Sequence, residues 1–369
     1  MKRKEMDRLA ELVRRARRIS ATELTELTEK HKSTISPRIQ AMVGLGALRE
    51  AGTGDSGGRG GKPRQYLELN PEYCHAIGID ASSDELKGGV YDLSGRQLLS
   101  HEVRYHDLRQ GESFLADLYA FVAELRDRAR GVPGLCLGLG LGFSGLIDSQ
   151  RGRIIHSRSI GVRDYDLAAD LGARFDLPVR ITNDANAALL GEKWFVLDYE
   201  ETPPSHLVYF FVDNFFTSVG FGLMIEGRLY EGARFQAGEL TSYALDNGVS
   251  TDLIDLIRSC DASVLPEALG PASEVESPTA RAVRRVFDVY ADNLVYIGEL
   301  LDPDQIVVGG NLESHAFLLA PFLAYAGAKL RASYSGQSGR VLRASGIPYP
   351  PVCAGATVPL FQDLILNLG

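Results

Sequence analysis

Apolar residues recur at helical spacing at the start of the chain and in short strand-like runs beyond it. Met6, Leu9, Leu12, Val13 and Ala16 predict an amphipathic helix over residues 4–17. Ser20 followed by Glu23 has the form of a capping box, which opens a short second helix with Leu24 and Leu27 facing inward. A break at Glu29-Lys30-His31 comes next, and Ile35, Ile39, Met42 and Val43 mark a third helix that ends near Gly44 and Gly46. Leu48-Arg49-Glu50 and Gln65–Leu69 then read as two strands of a hairpin. The glycine-rich stretch Gly54–Arg64 (GDSGGRGGKPR) forms its tip. Three short helices with a tight turn and a hairpin behind them predict a winged helix-turn-helix.

Beyond Asn70-Pro71-Glu72, a predicted linker, strand patterns alternate with helical ones. Strands are predicted at 76–80, 86–92, 98–105, 135–143, 179–182, 207–212, 219–225 and 305–308. Helices are predicted at 113–130, 165–175, 185–195, 279–301, 316–331 and 354–367. Several strands followed by strand–helix units indicate an α/β body. No internal repeat in residue identity is visible.

Charge divides the chain in the same place. Residues 1–64 hold 15 Lys and Arg against 8 Asp and Glu, a net of +7, and the remainder carries −16, for −9 overall. A basic head on an acidic body predicts a DNA-reading module joined to a part that does not touch DNA. On the third helix the face opposite Ile35 and Ile39 carries Ser33, Pro37 and Gln40, flanked by Ser36, with Lys32 at its start. Gln pairs with an adenine edge, and Ser and Lys reach phosphates. Arg59 and Lys62 in the hairpin tip suit a narrow minor groove. Lys32, Ser33, Ser36, Gln40, Arg59 and Lys62 are therefore the expected DNA contacts.

At 369 residues the chain is long enough for two or three domains. No apolar run approaches the roughly 18 residues of a membrane span, and the polar amphipathic start is unlike a signal peptide, so a cytoplasmic location is expected. Cys74, Cys136, Cys260 and Cys353 are scattered with no zinc spacing, and the seven histidines form no HExxH. Buried reduced thiols are expected.

Five segments in order carry a resemblance: KSTISPRIQ with SGGR behind it, LELNPEYCHAIGID, ITNDANAALL, MIEGRLYEGA with AGEL, and LLDPDQIVVGGNL. Through them the chain, from about Ile19 to its end, resembles the ROK family (repressors, open reading frames and sugar kinases). The order is that of the repressor branch. The resemblance implies a winged helix-turn-helix followed by a two-lobed, actin-like (ribonuclease-H-like) ATPase-type body. It implies domains at 1–70, 71–187 completed by 354–369, and 188–353. It also implies a DNA operator, a small carbohydrate effector, and a homodimer or dimer of dimers.

The family's catalytic pair corresponds to Asn183-Asp184, intact here, although such residues also cap helices. The family's sugar-contacting Glu corresponds to Glu239, and its accompanying His, also a zinc ligand, becomes Ser242. Gly145 stands in the family's Pro-Gly turn, and Ser159 replaces an Asn. The family's zinc-binding cysteine cluster is missing, and the later Glu corresponds to Asp252 or Asp255. The phosphate loops are altered. Asp80-Ala81-Ser82-Ser83-Asp84 lacks both glycines of Asp-x-Gly-Gly-Thr and ends on an acid. Phe216-Thr217-Ser218-Val219-Gly220-Phe221-Gly222 puts Phe216 where a glycine belongs. Gly309-Gly310, which matches the family's adenosine-side motif, remains, although a Gly-Gly turn between strand and helix also has a structural explanation. The expectation is a regulator with lost kinase activity, no metal and no cofactor, that binds sugar through Asn183, Asp184, Glu239 and Gly145. The rival is an active ATP-dependent sugar kinase with an attached DNA-binding head.

Overall fold

The structure is a computed structural model, described over residues 2–53, 64–82, 84–214, 218–239, 278–310, 316–333, 341–347 and 350–365. The chain forms two compact units. One comprises Met1–Thr182, Trp194–Glu201 and Ala356–Gly369, and the other Asn183–Lys193 and Thr202–Gly355. The head thus belongs to the same compact unit as the first sheet, and the units part at 182/183 where the sequence reading places a boundary at 187/188.

The head runs α1 (Lys2–Ala16), β1 (Ile19–Ser20), α2 (Ala21–Thr28), α3 (Lys32–Gly44), β2 (Leu48–Thr53) and β3 (Gln65–Leu69). The strands pair in the order β1-β3-β2. This order is compatible with the winged helix expected. Ser20 and Glu23 form the capping box, the Ser20 amide donating to Glu23 Oε2 at 2.8 Å and the Glu23 amide to Ser20 Oγ at 3.3 Å. Glu29, in the left-handed region at φ 54°, closes α2. Leu9, Ala10, Val13, Leu24, Ile35, Ile39, Met42 and Leu67 are buried and make the head's core. Two expectations fail. Leu27 is 55% exposed and Ala16 is exposed. On α2 the inward turn after Leu24 is taken by Thr28, four residues on, whose hydroxyl donates to the Leu24 carbonyl at 2.6 Å. On α1 it is Arg14, not Ala16, that continues inward past Ala10 and Val13.

In the rest of the first unit, β4 (Cys74–Ala81), β5 (Glu85–Asp92), β6 (Gln97–Arg104), β7 (Leu135–Phe143) and β11 (Val179–Asn183) form one sheet, ordered β11-β7-β4-β5-β6. The first three strands are an antiparallel meander, and β7 returns parallel to β4. Helices α4 (Gly111–Ala129) and α5 (Leu167–Phe175) contribute Phe114, Leu118, Phe121, Leu167 and Leu171 to the core over Ile77, Ile79, Leu139 and Leu141. A separate small sheet, β8 (Leu146–Asp148), β9 (Arg153–Ser157) and β10 (Val162–Tyr165), was not predicted.

In the second unit, β12 (Leu207–Asn214), β13 (Ser218–Ile225), β14 (Arg228–Leu229), β15 (Gln305–Gly310) and β16 (Val341–Ala344) are ordered β14-β13-β12-β15-β16. Again three antiparallel strands come first, and the fourth runs parallel to the first. The two sheets therefore share one strand order without sharing visible residue identity. Helices α7 (Pro278–Leu301) and α8 (Ala316–Ala332) pack Phe287, Tyr290, Leu294 and Phe322 against Phe210, Phe221 and Val308. On α7, Val283, Val286, Phe287, Tyr290 and Leu294 are buried core, and Ile297 packs against them half-buried.

Helix α6 (Asp184–Phe195), which follows β11, and helix α9 (Pro351–Ile365) meet through glycine. A Cβ on Gly355 would lie 1.8 Å from the Ala187 carbonyl oxygen, so only glycine permits this crossing.

Candidate functional site

Strand β11 ends at Asn183, and α6 opens at Asp184. Asn183 uses both halves of its amide. Its Oδ1 accepts from the Asn186 amide at 3.2 Å, which caps the helix, and its Nδ2 donates to Glu239 Oε1 at 3.3 Å. Asp184 Oδ1 accepts from the Ala185 amide at 2.8 Å. The capping and ligand readings of this pair are thus compatible. The Asn183 amide and the Glu239 carboxylate meet at the start of α6, and the Asp184 carboxylate caps the same N-terminus, where the helix offers its partial positive charge.

Glu239 is placed by its neighbour. Gly238 has φ +85°, and a Cβ there would sit 1.8 Å from the Phe221 carbonyl oxygen. The same approach lets the Phe221 amide donate to the Gly238 carbonyl at 3.2 Å, which fixes the residue after it. Glu239 itself reaches the surface, yet the protein around its carboxyl displaces water and raises its pKa above the usual carboxylate value. Gly145 belongs to the first unit, at φ +123°, where a Cβ would lie 2.6 Å from the His156 carbonyl oxygen. The neighbouring Ser144 carbonyl accepts from Ser157 Oγ at 2.6 Å. Gly145 therefore has a packing reason of its own.

Three of the glycines that survive in the second phosphate loop and the adenosine-side motif have packing reasons too, whereas a Cβ on Gly220 would only reach ordinary contact with Ala185 Cβ at 3.4 Å. A Cβ on Gly222 would meet the Ala185 carbonyl oxygen at 2.7 Å and Leu189 Cβ at 2.8 Å, so this glycine seats α6 on β13. At Gly309 it would meet the Tyr209 hydroxyl at 2.2 Å, and at Gly310 (φ +129°) the Val212 carbonyl oxygen at 2.2 Å. The first loop closes on itself. Ser82 Oγ donates to Asp84 Oδ1 at 2.9 Å, and the Ser82 amide donates to the Glu85 carbonyl at 2.9 Å. Ser83, Phe216, Thr217, Ser242, Asp252, Asp255 and Cys260 lie outside the described residues. Among the described residues no group of three or more His, Cys, Asp or Glu could hold a metal ion. Cys74 and Cys353 are buried and Cys136 half-buried, none of the three in a disulfide, and burial pushes the Cys74 thiol up to about 12.

On α3, Lys32, Ser33 and Gln40 are exposed and Ser36 half-buried, while Ile35 and Ile39 are buried beneath them. The expected polar face thus points away from the core. Pro37 removes the amide that would bond the Ser33 carbonyl, and α3 continues through it. Arg59 and Lys62 lie outside the described residues.

Sequence reasoning missed Arg14. Counted with the head's basic surface, it is only 3% exposed. Its Nη2 meets Asp198 Oδ2 at 2.6 Å, its Nη1 donates to the Trp194 carbonyl at 3.1 Å, and its guanidinium carbon lies 3.7 Å from the centre of the Trp194 ring. The Glu11 carboxylate takes two further bonds at 2.8 Å. Burial alone would lower the guanidinium pKa, but Glu11 and Asp198 raise it above the ordinary arginine value. The available signal was helical spacing, since Arg14 follows Ala10 by four residues on the stripe that also holds Val13.

Residues 76–250 match the ROK family. The chain carries a ROK family domain. Over 222 residues it is 29% identical to the xylose repressor of Caldicellulosiruptor bescii, covering 60% of this chain and 54% of that protein. The chain spans little more than half the length of such curated relatives. Among solved structures, a ROK family transcriptional regulator, a homologue of the E. coli MLC protein, superimposes with TM-score 0.71 at 16% identity. It covers 100% of this chain and 97% of that one. A ROK family glucokinase from Streptomyces griseus, in complex with glucose and AMPPNP, gives TM-score 0.60 at 20% identity, with 76% and 97% covered. The ROK domain thus has the mixed α/β fold shared by sugar kinases and regulators. No helix among its described residues, or in the described head, is long and apolar enough to cross a membrane.

Proposed function

We propose that the chain is a transcriptional regulator, a repressor of the ROK type, that reads a DNA operator and answers to a carbohydrate. Residues 1–70 act as the winged helix-turn-helix, 71–187 with 354–369 as one lobe, and 188–353 as the other. Lys32, Ser33, Ser36 and Gln40 meet DNA from α3, and Arg59 and Lys62 from the hairpin tip. The observation that carries this reading is the head itself. A +7 segment presents Lys32, Ser33 and Gln40 outward from a helix whose opposite face is packed. Two further observations support it: relatives named xylose repressors, and a regulator whose fold matches from end to end.

Asn183, Asp184 and Glu239 offer one amide and two carboxylates, the groups that satisfy sugar hydroxyls, which both donate and accept. D-xylose is the first candidate, because the relatives carry its name. Phosphoryl transfer would need a glycine cradle and a cation beside the phosphates. Gly222, Gly309 and Gly310 are occupied by packing, and Asp84 adds negative charge to the first loop, so we propose that kinase activity is lost. The regulator would work in the cytoplasm, as a dimer or higher assembly, without a cofactor.

Selection of duplex DNA from a random pool on the purified chain, followed by footprinting, tests the reading. One enriched sequence protected over a defined site is expected. Unselective recovery, together with sugar-dependent ADP formation from ATP, would favour the kinase instead.

A further inference from the structure

We infer that Arg14 is the positioning residue that couples carbohydrate binding to the DNA-reading head, an inference that rests on the proposed function above. Asn183 and Asp184, the proposed sugar contacts, stand at the start of α6. Trp194 lies in the last turn of the same helix, and Asp198 in the short 3-10 turn Leu197–Tyr199 that follows. Both hold Arg14, which belongs to α1 of the head. One continuous stretch of chain therefore carries the effector contacts at one end and the head's anchor at the other.

The stretch is suited to moving as one piece. Gly222 lets β13 touch α6 at Ala185 and Leu189, and Gly355 lets α9 touch it at Ala187. A helix gripped so closely passes on a shift at its start instead of absorbing it. At the other end the anchor is nearly all-or-none. The Arg14 and Asp198 side chains are 1% and 3% exposed. Separating so buried a pair is costly even though Glu11 stays with Arg14, so partial detachment is disfavoured. Arg17 adds a second, exposed contact, its guanidinium carbon 4.0 Å from the Tyr199 ring centre. Beside Arg14, which lines it, lies a crevice of about 270 Å³ whose walls include Val13, Arg17, Leu93, Phe195 and Tyr199. Two discrete arrangements of the head, biased by the sugar, are what such coupling requires.

Trp194 is the only tryptophan in the chain, so its emission reports on this joint. The test uses D-xylose as probe, with N-acetyl-D-glucosamine as a second. It compares the chain with Arg14→Leu and, should that variant fold poorly, Asp198→Asn. Sugar affinity is measured by calorimetry, operator affinity by anisotropy on the selected duplex, and Trp194 emission during the sugar titration. In the unaltered chain sugar shifts the emission and changes operator affinity, by about 10-fold if the coupling is typical. In Arg14→Leu or Asp198→Asn sugar binds as before, but operator affinity no longer responds. Arg14→Lys, which keeps the charge but loses the planar fork, gives an intermediate response. An unchanged operator response in both Arg14→Leu and Asp198→Asn would overturn the inference while leaving the proposed function standing. So would an operator response in the unaltered chain with no change in emission. If neither sugar bound the unaltered chain, the inference would fall together with the effector reading on which it rests.

Discussion

Asn183 donates its amide Nδ2 to Glu239 Oε1 at 3.3 Å while its Oδ1 caps helix α6 through the Asn186 amide. The two functions can be separated by mutation. Asn183→Ser keeps a hydroxyl able to cap the helix, so the change in stability should stay within about 0.5 kcal/mol. The same variant loses the amide that bonds Glu239 and is proposed to contact the sugar, and sugar affinity should fall about 10-fold, the loss of one good hydrogen bond. Calorimetry and urea unfolding of the same preparation check both halves.

Glu239 gives a pH prediction. Burial raises its carboxyl pKa, so the folded state holds this proton more tightly than the unfolded chain does. Stability from this group is therefore fully present below the unfolded value and declines as pH rises through the folded one. Glu239→Gln should raise the melting temperature at neutral pH. It should also weaken sugar binding there, because the amide is a poorer acceptor. In the unaltered chain sugar affinity should decline on acidification before an ordinary glutamate would titrate, and Glu239→Gln should remove that pH dependence.

The glycine contacts predict stability effects of opposite sign. Gly222→Ala places a Cβ 2.7 Å from the Ala185 carbonyl oxygen and should cost about 1–3 kcal/mol by overpacking. A Cβ on Gly44, the last residue of α3, would meet nothing within 4 Å, and Gly44→Ala should stabilise the head by about 0.5–1 kcal/mol. A glycine kept for phosphate alone would leave stability unchanged in Gly222→Ala. Denaturant midpoints measure both.

For the head, Lys32→Ala should weaken binding to all duplexes alike and reduce the salt slope by about 1, the signature of one phosphate contact. Gln40→Ala should instead relax sequence preference at one base position. Anisotropy titrations over a range of salt concentrations, and repeated selection with the variant, distinguish the two effects.

Much of this was legible because period and punctuation are local. The capping box Ser20/Glu23, the helix after Asn183-Asp184 and the strand Leu135–Phe143 all occur where their patterns predict. The strands at 146–148, 153–157 and 162–165 escaped because each is too short to show an alternation. The shared strand order of the two sheets escaped because it is a pattern of pairing, and pairing leaves no trace in residue identity. Arg14 escaped because an arginine on a basic helix reads as solvated. Its partners Trp194 and Asp198 lie about half the chain away, where no local rule connects them. The double use of Asn183 was half legible. Its capping role follows from its place before a helix, but its donation to Glu239 depends on the tertiary contact that Gly238 makes with β13.

The most direct measurement is anisotropy of a labelled operator duplex titrated with the 369-residue chain, with and without D-xylose, while ADP release from ATP is followed in the same sample. The predicted result is selective, salt-sensitive binding, an affinity that changes about 10-fold with sugar, and no ADP. Sugar-dependent ADP release that Asp184→Asn abolishes, with no preference for the operator over random duplex, would contradict it.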